Sequence, residues 1–366
     1  MTRLHIGSRK GLFTLARGAR GWEVEALSFA GVQVTAIAPD RRDGALYAAV
    51  GHGHFGAKLH RSTDGGRTFV ERTAPTYPPK PADLDDRDPM RQLPVPWNVE
   101  LIWSLEAGGV PGEIWCGTIP GGLFRSTDGA DSWSLVEPLW LHPDRKRWMG
   151  GGYDFAGIHS IMPDPRDPRR VVVGVSCGGV WATHDGGATW SVRGTGQVAS
   201  YMPPEQVGDL VAQDPHRIVR CPAAPDRMWM QHHAGVFVSD DAGMTFRVVD
   251  NVPPSTFGFA VAVHPTQPDT AWFVPAAADS QRMPVDGKVV VARTRDGGRS
   301  FAVLDAGLPQ RHAYDLVYRH GLDISADGGV LAFGSTSGGL WVSEDQGDHW
   351  TAVDARLPPI VCVRFA

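Results

Sequence analysis

A nine-residue pattern recurs six times along this 366-residue chain, and its spacing constrains the fold more than any other feature. The copies are RSTDGGRTF (61–69), RSTDGADSW (125–133), ATHDGGATW (182–190), VSDDAGMTF (238–246), RTRDGGRSF (293–301) and VSEDQGDHW (342–350). Neighbouring copies are 49 to 64 residues apart, measured between Asp64, Asp128, Asp185, Asp241, Asp296 and Asp345. A period of this kind is typical of one supersecondary unit repeated with insertions, as in a β-propeller.

The segment 157–193, GIHSIMPDPRDPRRVVVGVSCGGVWATHDGGATWSVR, shows how one unit is built. Its runs IHSIM, RVVVGVS, VWATH and TWSV are rich in residues that favour strands, and the turn signals PDPRDP, CGG and DGG separate them. Four short strands make one propeller blade. The pattern therefore predicts a tight turn between the third and fourth strands of each blade.

Both ends of the chain resemble parts of one blade. Residues 3–29 match the last three strands of a unit and keep the aromatic Trp22, and the missing first strand is expected in PIVCVRFA at 359–366. We therefore predict an all-β fold, a single domain over 1–366. It is a seven-bladed β-propeller of four-stranded blades, closed by the C-terminal strand joining the N-terminal blade. The blades are expected at 359–366 with 3–29, 32–74, 97–137, 157–194, 215–250, 257–304 and 314–354.

Composition limits the partners and cofactors of such a ring. The net charge of −5 and the lack of a basic cluster argue against nucleic-acid binding. The sequence contains no run of roughly 20 apolar residues for a membrane span and no long apolar N-terminal segment, so we expect a cytoplasmic location and no membrane partner. No motif for a nucleotide or flavin cofactor is present. The four cysteines lack CxxC spacing and are expected to be free thiols: Cys116, Cys177, Cys221 and Cys362.

The six copies resemble the Asp-box, or BNR, repeat S/T-x-D-x-G-x-T/S-W/F, found in sialidase-like (WD40/YVTN/BNR-like) propellers. The first copy supplies Ser62, Asp64, Gly66, Thr68 and Phe69. The second copy departs from the pattern with Ala130 at the glycine position, and the sixth with His349 at the hydroxyl position. We expect the aspartate to accept hydrogen bonds across the turn while the glycine takes a positive φ.

The resemblance implies a fold but does not carry an activity to this chain. Sialidases hold the substrate carboxylate with three arginines, the first in an F/Y-R-I-P motif that is absent here. Arg217, Arg220 and Arg319 form no recognisable triad, so sialidase activity is disfavoured. Xyloglucanase-like members place catalytic aspartates between two propellers, and photosystem-assembly and sortilin-type members bind other molecules.

The two faces of the ring differ in the loops they carry. The repeated aspartates fall on one face, here called the turn face. The longer insertions fall on the opposite loop face, at 70–97, 136–157, 192–215, 276–289 and 302–313. Long loops on a rigid ring commonly carry a binding site, whereas six equivalent aspartates serve the architecture.

Histidines are concentrated where strands reach the loop face. His159 and His216 each precede a turn proline by six residues, so we predict equivalent positions in adjacent blades. His232 and His233 end a second strand. The candidate catalytic residues are His159, His216, Glu100, Asp315 and Tyr314, and the last three are expected to enter first strands. The candidate substrate-binding residues are Tyr153, Arg217, Asn98 and His312, and the last two are expected to enter the same strands.

Three chemistries fit such a set. A divalent metal would be held by imidazoles drawn from His52, His54, His159, His216 and His233, with an open position for water or substrate. His52 and His54 would share one face of a strand, but Gly53 and Gly56 predict a turn, where that parity fails. A histidine or carboxylate can also act as a metal-free general base, or these groups can simply line the channel.

The sequence thus favours an enzyme of hydrolase or lyase type that acts on a small polar molecule at the loop face. A glycoside hydrolase is the less favoured form of this hypothesis. The alternative from a different class is a non-catalytic propeller that binds a protein or ligand on the same face.

Overall fold

The computed structural model describes residues 2–353 and 356–366, and these residues form seven four-stranded antiparallel sheets. The predicted domain and its last blade include residues 1, 354 and 355, which lie outside the described residues. The all-β, seven-bladed propeller predicted from the repeat is confirmed. No helix of the described part of the chain is long and apolar enough to cross a membrane.

The strands follow the chain from sheet to sheet. The first sheet contains β1 (Arg3–Ser8), β2 (Gly11–Gly18) and β3 (Gly21–Ser28), and the second contains β4 (Gln33–Asp40), β5 (Ala45–Gly51), β6 (Ala57–Ser62) and β7 (Val70–Arg72). The third contains β8 (Leu101–Ala107), β9 (Ile114–Ile119), β10 (Leu123–Ser126) and β11 (Ser134–Leu135). The fourth contains β12 (Ile158–Asp164), β13 (Asp167–Val175), β14 (Gly179–Thr183) and β15 (Ser191–Arg193).

The fifth sheet contains β16 (Pro215–Cys221), β17 (Ala224–His232), β18 (Gly235–Ser239) and β19 (Arg247–Val249). The sixth contains β20 (Gly258–Val263), β21 (Ala271–Pro275), β22 (Val291–Thr294) and β23 (Ala302–Leu304). The seventh contains β24 (Leu322–Ile324), β25 (Leu331–Gly334), β26 (Leu340–Ser343) and β27 (Thr351–Ala352). The last strand, β28 (Ile360–Phe365), joins the first sheet beside β1.

The innermost strands β28, β4, β8, β12, β16, β20 and β24 contact their neighbours in a closed cycle around the channel. Closure depends on β28, which pairs antiparallel with β1 so that Leu4 faces Phe365 and Ile6 faces Val363. All four of these side chains are at most 1% exposed. The predicted closure by the C-terminal strand is confirmed, and it gives β1 a hydrogen-bonded partner on the side of the channel.

The repeated turns use their aspartates for local structure. Asp64 accepts hydrogen bonds from the Thr68 hydroxyl (2.6 Å), the Thr68 backbone N–H (2.9 Å) and the Ser62 hydroxyl (2.7 Å). These bonds, the Thr68 hydroxyl first, hold the pKa of Asp64 well below its usual range. In the sixth copy, His349 Nδ1 lies 2.8 Å from Asp345 Oδ2, so an imidazole replaces the hydroxyl. The turn aspartates are therefore occupied acceptors on the turn face.

Two of the loop-face insertions are fastened to each other. The Arg145 guanidinium lies 2.6 Å from Asp86, and both side chains are at most 6% exposed. Trp97 Nε1 donates to the same carboxylate (3.1 Å), and Arg145 stacks on the Trp140 ring at 4.1 Å. Trp140 ends the short helix α1 (Glu137–Trp140), and short 3-10 turns follow at Pro143–Arg147, Pro204–Gln206 and Val285–Gly287. These contacts give this part of the loop face a fixed shape.

Candidate functional site

β-Bulges shape the loop-face end of the channel. The pairing of the innermost strands shifts at Thr35, Trp103, His159, His216 and Phe259. A bulge leaves a residue unpaired and redirects its side chain, and bulges are frequent beside active sites. The predicted equivalence of His159 and His216 is confirmed, because each is the second residue of its strand and lies in such a bulge.

A cluster of three metal-competent side chains lies beside this layer. Asp214 Oδ2 is 3.5 Å from His216 Nε2 and 3.4 Å from His233 Nδ1. One ligand atom from each residue lies within 4.8 Å of those of the other two. Asp214 and His216 are buried, whereas His233 is 27% exposed and gives the cluster a solvent-facing side. We call Asp214, His216 and His233 the DHH cluster.

The protonation of His216 indicates that the DHH cluster needs a cation or a hydrogen-bond donor between His216 and Asp214. Its Nδ1 lies 2.7 Å from the Gly258 carbonyl oxygen, which can only accept, so Nδ1 carries the proton. Burial lowers the pKa of His216, which favours the neutral ring. Its Nε2 lone pair then faces the carboxylate oxygen of Asp214. Two lone pairs at this distance repel each other unless a cation or a donor lies between them.

The carboxylate of Asp214 is held in its ionised form and in a fixed orientation. Burial alone would raise its pKa, but hydrogen bonding and positive charge on the side of His216, His233 and the more distant Arg319 hold that pKa well below the usual range, so the carboxylate is ionised when a proton or a cation lies between it and the histidines. The other oxygen, Oδ1, accepts the backbone N–H of Cys177 at 3.0 Å. Burial raises the pKa of the Cys177 thiol, so this cysteine contributes its backbone rather than a thiolate.

The spacing of the DHH cluster fits a four-coordinate ion. Zinc bonds to nitrogen and oxygen are about 2.0–2.1 Å long, which places tetrahedral ligands about 3.4 Å apart. The two distances from Asp214, 3.4 and 3.5 Å, agree with that edge. Metal-bound histidines usually donate their second N–H to a carbonyl or carboxylate, as His216 does to Gly258. The described residues thus offer three ligands and leave a fourth position for water.

A cavity of about 510 Å³ opens at the loop-face mouth of the channel, and none of its described lining residues belongs to the DHH cluster. Phe259 connects the two, because the His216 ring stacks on it at 4.4 Å and the Arg319 guanidinium lies 5.4 Å from its centre. Arg319 also lies 4.9 Å from the centre of the Trp103 ring. Its Nε is buried and has no hydrogen-bond partner among the described residues.

The lining of this cavity is cationic although the chain carries a net charge of −5. Arg9, Arg282 and Arg319 contribute to it, and no carboxylate appears among its described lining residues. Trp103, Tyr153 and Tyr318 supply aromatic surface. Burial lowers the pKa of Arg319, but a guanidinium remains charged in proteins. The cavity therefore suits a small anion with an apolar or planar part.

Of the predicted metal ligands, the structure brings His216 and His233 together. His159 is fully buried, with Nδ1 2.9 Å from the Ser160 hydroxyl and its ring against Trp103. His232 is also buried, and its two ring nitrogens lie 3.0 Å from the backbone nitrogens of Asp214 and Ala234. His52 and His54 are exposed, the first directly before and the second within the 3-10 turn Gly53–Phe55, which confirms that the two do not share a strand face.

The predicted catalytic carboxylates and tyrosine lie in segments that precede the inner strands. Glu100 is exposed and comes just before β8, and partial burial with nearby Asp154 raises its pKa. The expectation that these residues enter first strands is wrong. Asn98 and Glu100 precede β8, which begins at Leu101, and His312, Tyr314 and Asp315 precede β24, which begins at Leu322. Asp315 instead accepts a hydrogen bond from the Ser335 hydroxyl at 2.7 Å, and Tyr314 is 65% exposed.

The predicted substrate-binding residues are divided between two places. Tyr153 lines the cationic cavity, where it packs against Trp103. Asn98 and His312 are exposed on the loop face. Arg217 lines cavities at the opposite, turn-face end of the channel. The three arginines considered for a triad do not converge, since Arg319 lies at the loop-face mouth and Arg220 pairs with Asp164 (3.1 Å).

Asp214 and Arg319 are the main residues that sequence reasoning missed. Asp214 is the last residue before β16, immediately outside the blade predicted at 215–250. The signal was a carboxylate two residues from His216 in QDPHR. Arg319 adjoins His320 just before β24, so its direction depends on a segment that has no regular periodicity.

No family model matches the chain. It is 25% identical over 245 residues to an oligoxyloglucan-reducing end-specific xyloglucanase from Emericella nidulans, a match that covers 63% of this chain and 27% of that protein. A second match, to a probable enzyme of the same name from Neosartorya fischeri, is 29% identical over 130 residues and covers 13% of that protein. The chain thus spans about a quarter or less of the length of these relatives.

Solved structures support the fold. The GH74 xyloglucanase from Xanthomonas campestris superposes with a TM-score of 0.63 at 19% identity, over 99% of this chain and 52% of that one. YCF48 bound to D1 peptide gives a TM-score of 0.51 at 14% identity, over 94% of this chain and 87% of that one. At these identities the likeness concerns the propeller alone, and propellers host both hydrolases and binding proteins.

Proposed function

We propose that this protein is a metal-assisted hydrolase whose active site combines the DHH cluster with the cationic cavity at the loop face. The observation that carries the proposal is the geometry of the DHH cluster, in which Asp214 Oδ2 lies 3.5 Å from His216 Nε2 and 3.4 Å from His233 Nδ1 while His216 Nδ1 is committed to the Gly258 carbonyl. A divalent cation would satisfy Asp214 and His216 together with His233.

The residues around the cluster would orient the metal ligands and limit the access of water. A metal held there would act as a Lewis acid and lower the pKa of a bound water, the nucleophile of hydrolysis. Gly258 and Cys177 orient His216 and Asp214 through their backbone groups. Phe257 and Tyr201 pack against His233 and limit the access of water from the sides.

The cationic cavity would bind the substrate through an anionic group. Arg319 has an uncommitted guanidinium between two aromatic rings and lies near Asp214. A charge-assisted hydrogen bond to a carboxylate or phosphate would give that buried Nε a partner. The substrate proposed on this basis is a small organic anion with a hydrolysable bond. Sequence similarity to xyloglucanases supports hydrolase chemistry at a coarse level only.

The first experiment measures metal content and does not depend on a known substrate. We expect one zinc or similar divalent ion per chain by elemental analysis, and a lower midpoint of thermal unfolding after chelation, restored by zinc. Asp214→Asn and His233→Ala should lose most of the metal. The matched controls His52→Ala and His54→Ala should keep it, because those residues lie outside the DHH cluster.

The second experiment tests catalysis on the metal-loaded wild-type chain. The substrates would be oligoxyloglucan and a panel of p-nitrophenyl esters, phosphates and glycosides. Panel members would be compared with and without a carboxylate in the acyl or sugar part. We expect turnover of anionic esters that a chelator abolishes. Metal binding without turnover of any panel member would overturn the enzymatic proposal and favour a binding propeller, and turnover of oligoxyloglucan by metal-free protein would favour a glycoside hydrolase.

A further inference from the structure

Among the charged side chains that line two cavities at the turn-face end of the channel, away from the DHH cluster, five form no salt bridge with another described side chain. The two cavities have volumes of about 340 and 360 Å³ and share four of these residues in their linings. The five residues are Arg41, Glu106, Arg217, Asp323 and Arg364. They come from five different blades, since they lie in or directly after β4, β8, β16, β24 and β28. We call the space that these five side chains line the turn-face cavity.

Backbone groups hold the charges of the turn-face cavity in place. Arg217 Nη1 donates to the His159 carbonyl (3.1 Å), and Arg364 Nη1 donates to the Val363 carbonyl (2.7 Å). Asp323 Oδ2 accepts the backbone N–H of Phe365 at 2.8 Å. A guanidinium has five N–H donors, so each arginine keeps most of its donors free.

The opposite charges of this group attract one another without touching. Glu106 interacts with Arg364 and Arg217, and Asp323 with Arg364, through space rather than through a hydrogen bond between the described side chains. Elsewhere in the same channel wall, Arg220 meets Asp164 directly at 3.1 Å. Four of the five side chains are half-buried and Arg41 is exposed, so part of their hydration is lost, and a ligand that pairs with both signs of charge would stabilise the group.

Burial raises the pKa of Glu106 and of Asp323, so each carboxylate would gain from a positively charged partner. The guanidinium donors of Arg217 and Arg364 that no backbone carbonyl accepts would gain from an anionic partner. A simple anion would leave the carboxylates without a partner, and a simple cation would leave the arginines without one.

We propose that the turn-face cavity binds a small zwitterion of the α-amino acid class, with its ammonium group between Glu106 and Asp323 and its carboxylate on Arg217 and Arg364. Both halves of such a molecule are matched at once, and the cavity volume accommodates one. The planar carboxylate suits the fork of guanidinium donors, and the ammonium suits two carboxylate acceptors. This site is independent of the DHH cluster and of the hydrolase proposal.

Ligand analogues test the proposal on the unmodified 366-residue chain. The twenty free α-amino acids would be screened by thermal unfolding, and the best would be measured by calorimetry. We expect at least one to raise the unfolding midpoint. Its N-acetyl derivative, which lacks the ammonium, and its amide, which lacks the carboxylate, should each bind at least about tenfold more weakly. Acetate and methylammonium alone should have no effect at the same concentration.

Two variants assign the binding to the cavity. Glu106→Gln keeps the shape of the side chain and should weaken binding at least about tenfold, while the exposed Glu137→Gln should bind as the wild type does. If no amino acid binds the folded wild-type protein, or if acetate binds as tightly as the amino acid, the proposal is wrong. Because binding should survive chelation, its failure and the failure of the metal site are distinguishable.

Discussion

The strand β28 closes the ring, and its loss should unfold the whole domain rather than one blade. Its buried side chains include Ile360, Val363 and Phe365, each at most 3% exposed. Burial of side chains of this size contributes about 1.5–3 kcal/mol each, so the three together contribute about 5–9 kcal/mol. A typical domain has a net stability of about 5–15 kcal/mol. A chain that lacks residues 359–366 should therefore be unfolded or nearly so.

A point substitution makes this prediction quantitative. Phe365 is 1% exposed, faces Leu4 across the β1–β28 pair and meets Trp22 edge-to-face at 6.1 Å. Phe365→Ala should lower the free energy of unfolding by about 3–5 kcal/mol through lost contacts and a cavity. The control is Leu27→Ala in β3 of the same sheet, which is 49% exposed and should change stability by under about 1 kcal/mol.

Equilibrium unfolding in urea, followed by tryptophan fluorescence and by circular dichroism, would measure both variants. The 13 tryptophans are distributed around the ring, so fluorescence reports on many blades at once. We expect a single transition that moves to lower urea with both probes. A Phe365→Ala protein with an unchanged midpoint, or one that loses only the first blade in a separate early transition, would refute the coupling of the ring through β28.

Three further predictions concern other parts of the ring. Asp86→Ala should destabilise the protein by about 3–5 kcal/mol in urea unfolding, because it leaves the Arg145 guanidinium buried without its carboxylate; an effect below 1 kcal/mol would contradict this. Stability should fall as the pH drops from about 6.5 to 4, since burial lowers the pKa of His5 to about 4 and of His232 to about 3, and the unfolded chain then binds more protons. Each such histidine contributes about 1.4 kcal/mol per pH unit, and the slope should be smaller in His5→Gln. Asp64→Ala should lower the midpoint of thermal unfolding without changing metal content, and selective loss of metal would contradict its structural role.

The repeat was sufficient to predict the ring because each turn depends on local contacts. Ser62, Asp64 and Thr68 lie within seven residues and bond to one another, so the motif appears in the sequence as it appears in the fold. The number of blades and the closure by the C-terminal strand followed from the count of these copies and from the partial blades at the two ends of the sequence. The departure of the second copy from the repeat pattern is also local, since Ala130 takes the positive φ of the glycine that it replaces.

The candidate site was harder to predict because it depends on irregular backbone. Bulges at His159 and His216 break the alternation from which side-chain direction is inferred, so equivalent positions acquire different neighbours. His159 packs on Trp103, whereas His216 packs on Phe259 and faces Asp214. Only tertiary structure brings Arg319 next to those residues.

Arg3 and Ala366 are far apart in the sequence but are neighbours in the fold. The backbone N–H of Ala366 donates to the carbonyl of Arg3 at 3.1 Å, so the two ends of the described chain are hydrogen-bonded neighbours within one blade. Circular permutation should therefore be tolerated. A short linker from residue 366 to residue 2, with new ends in the connection at 250–257, would move the cut from inside a blade to the joint between two blades. In that permutant every sheet would be built from consecutive strands.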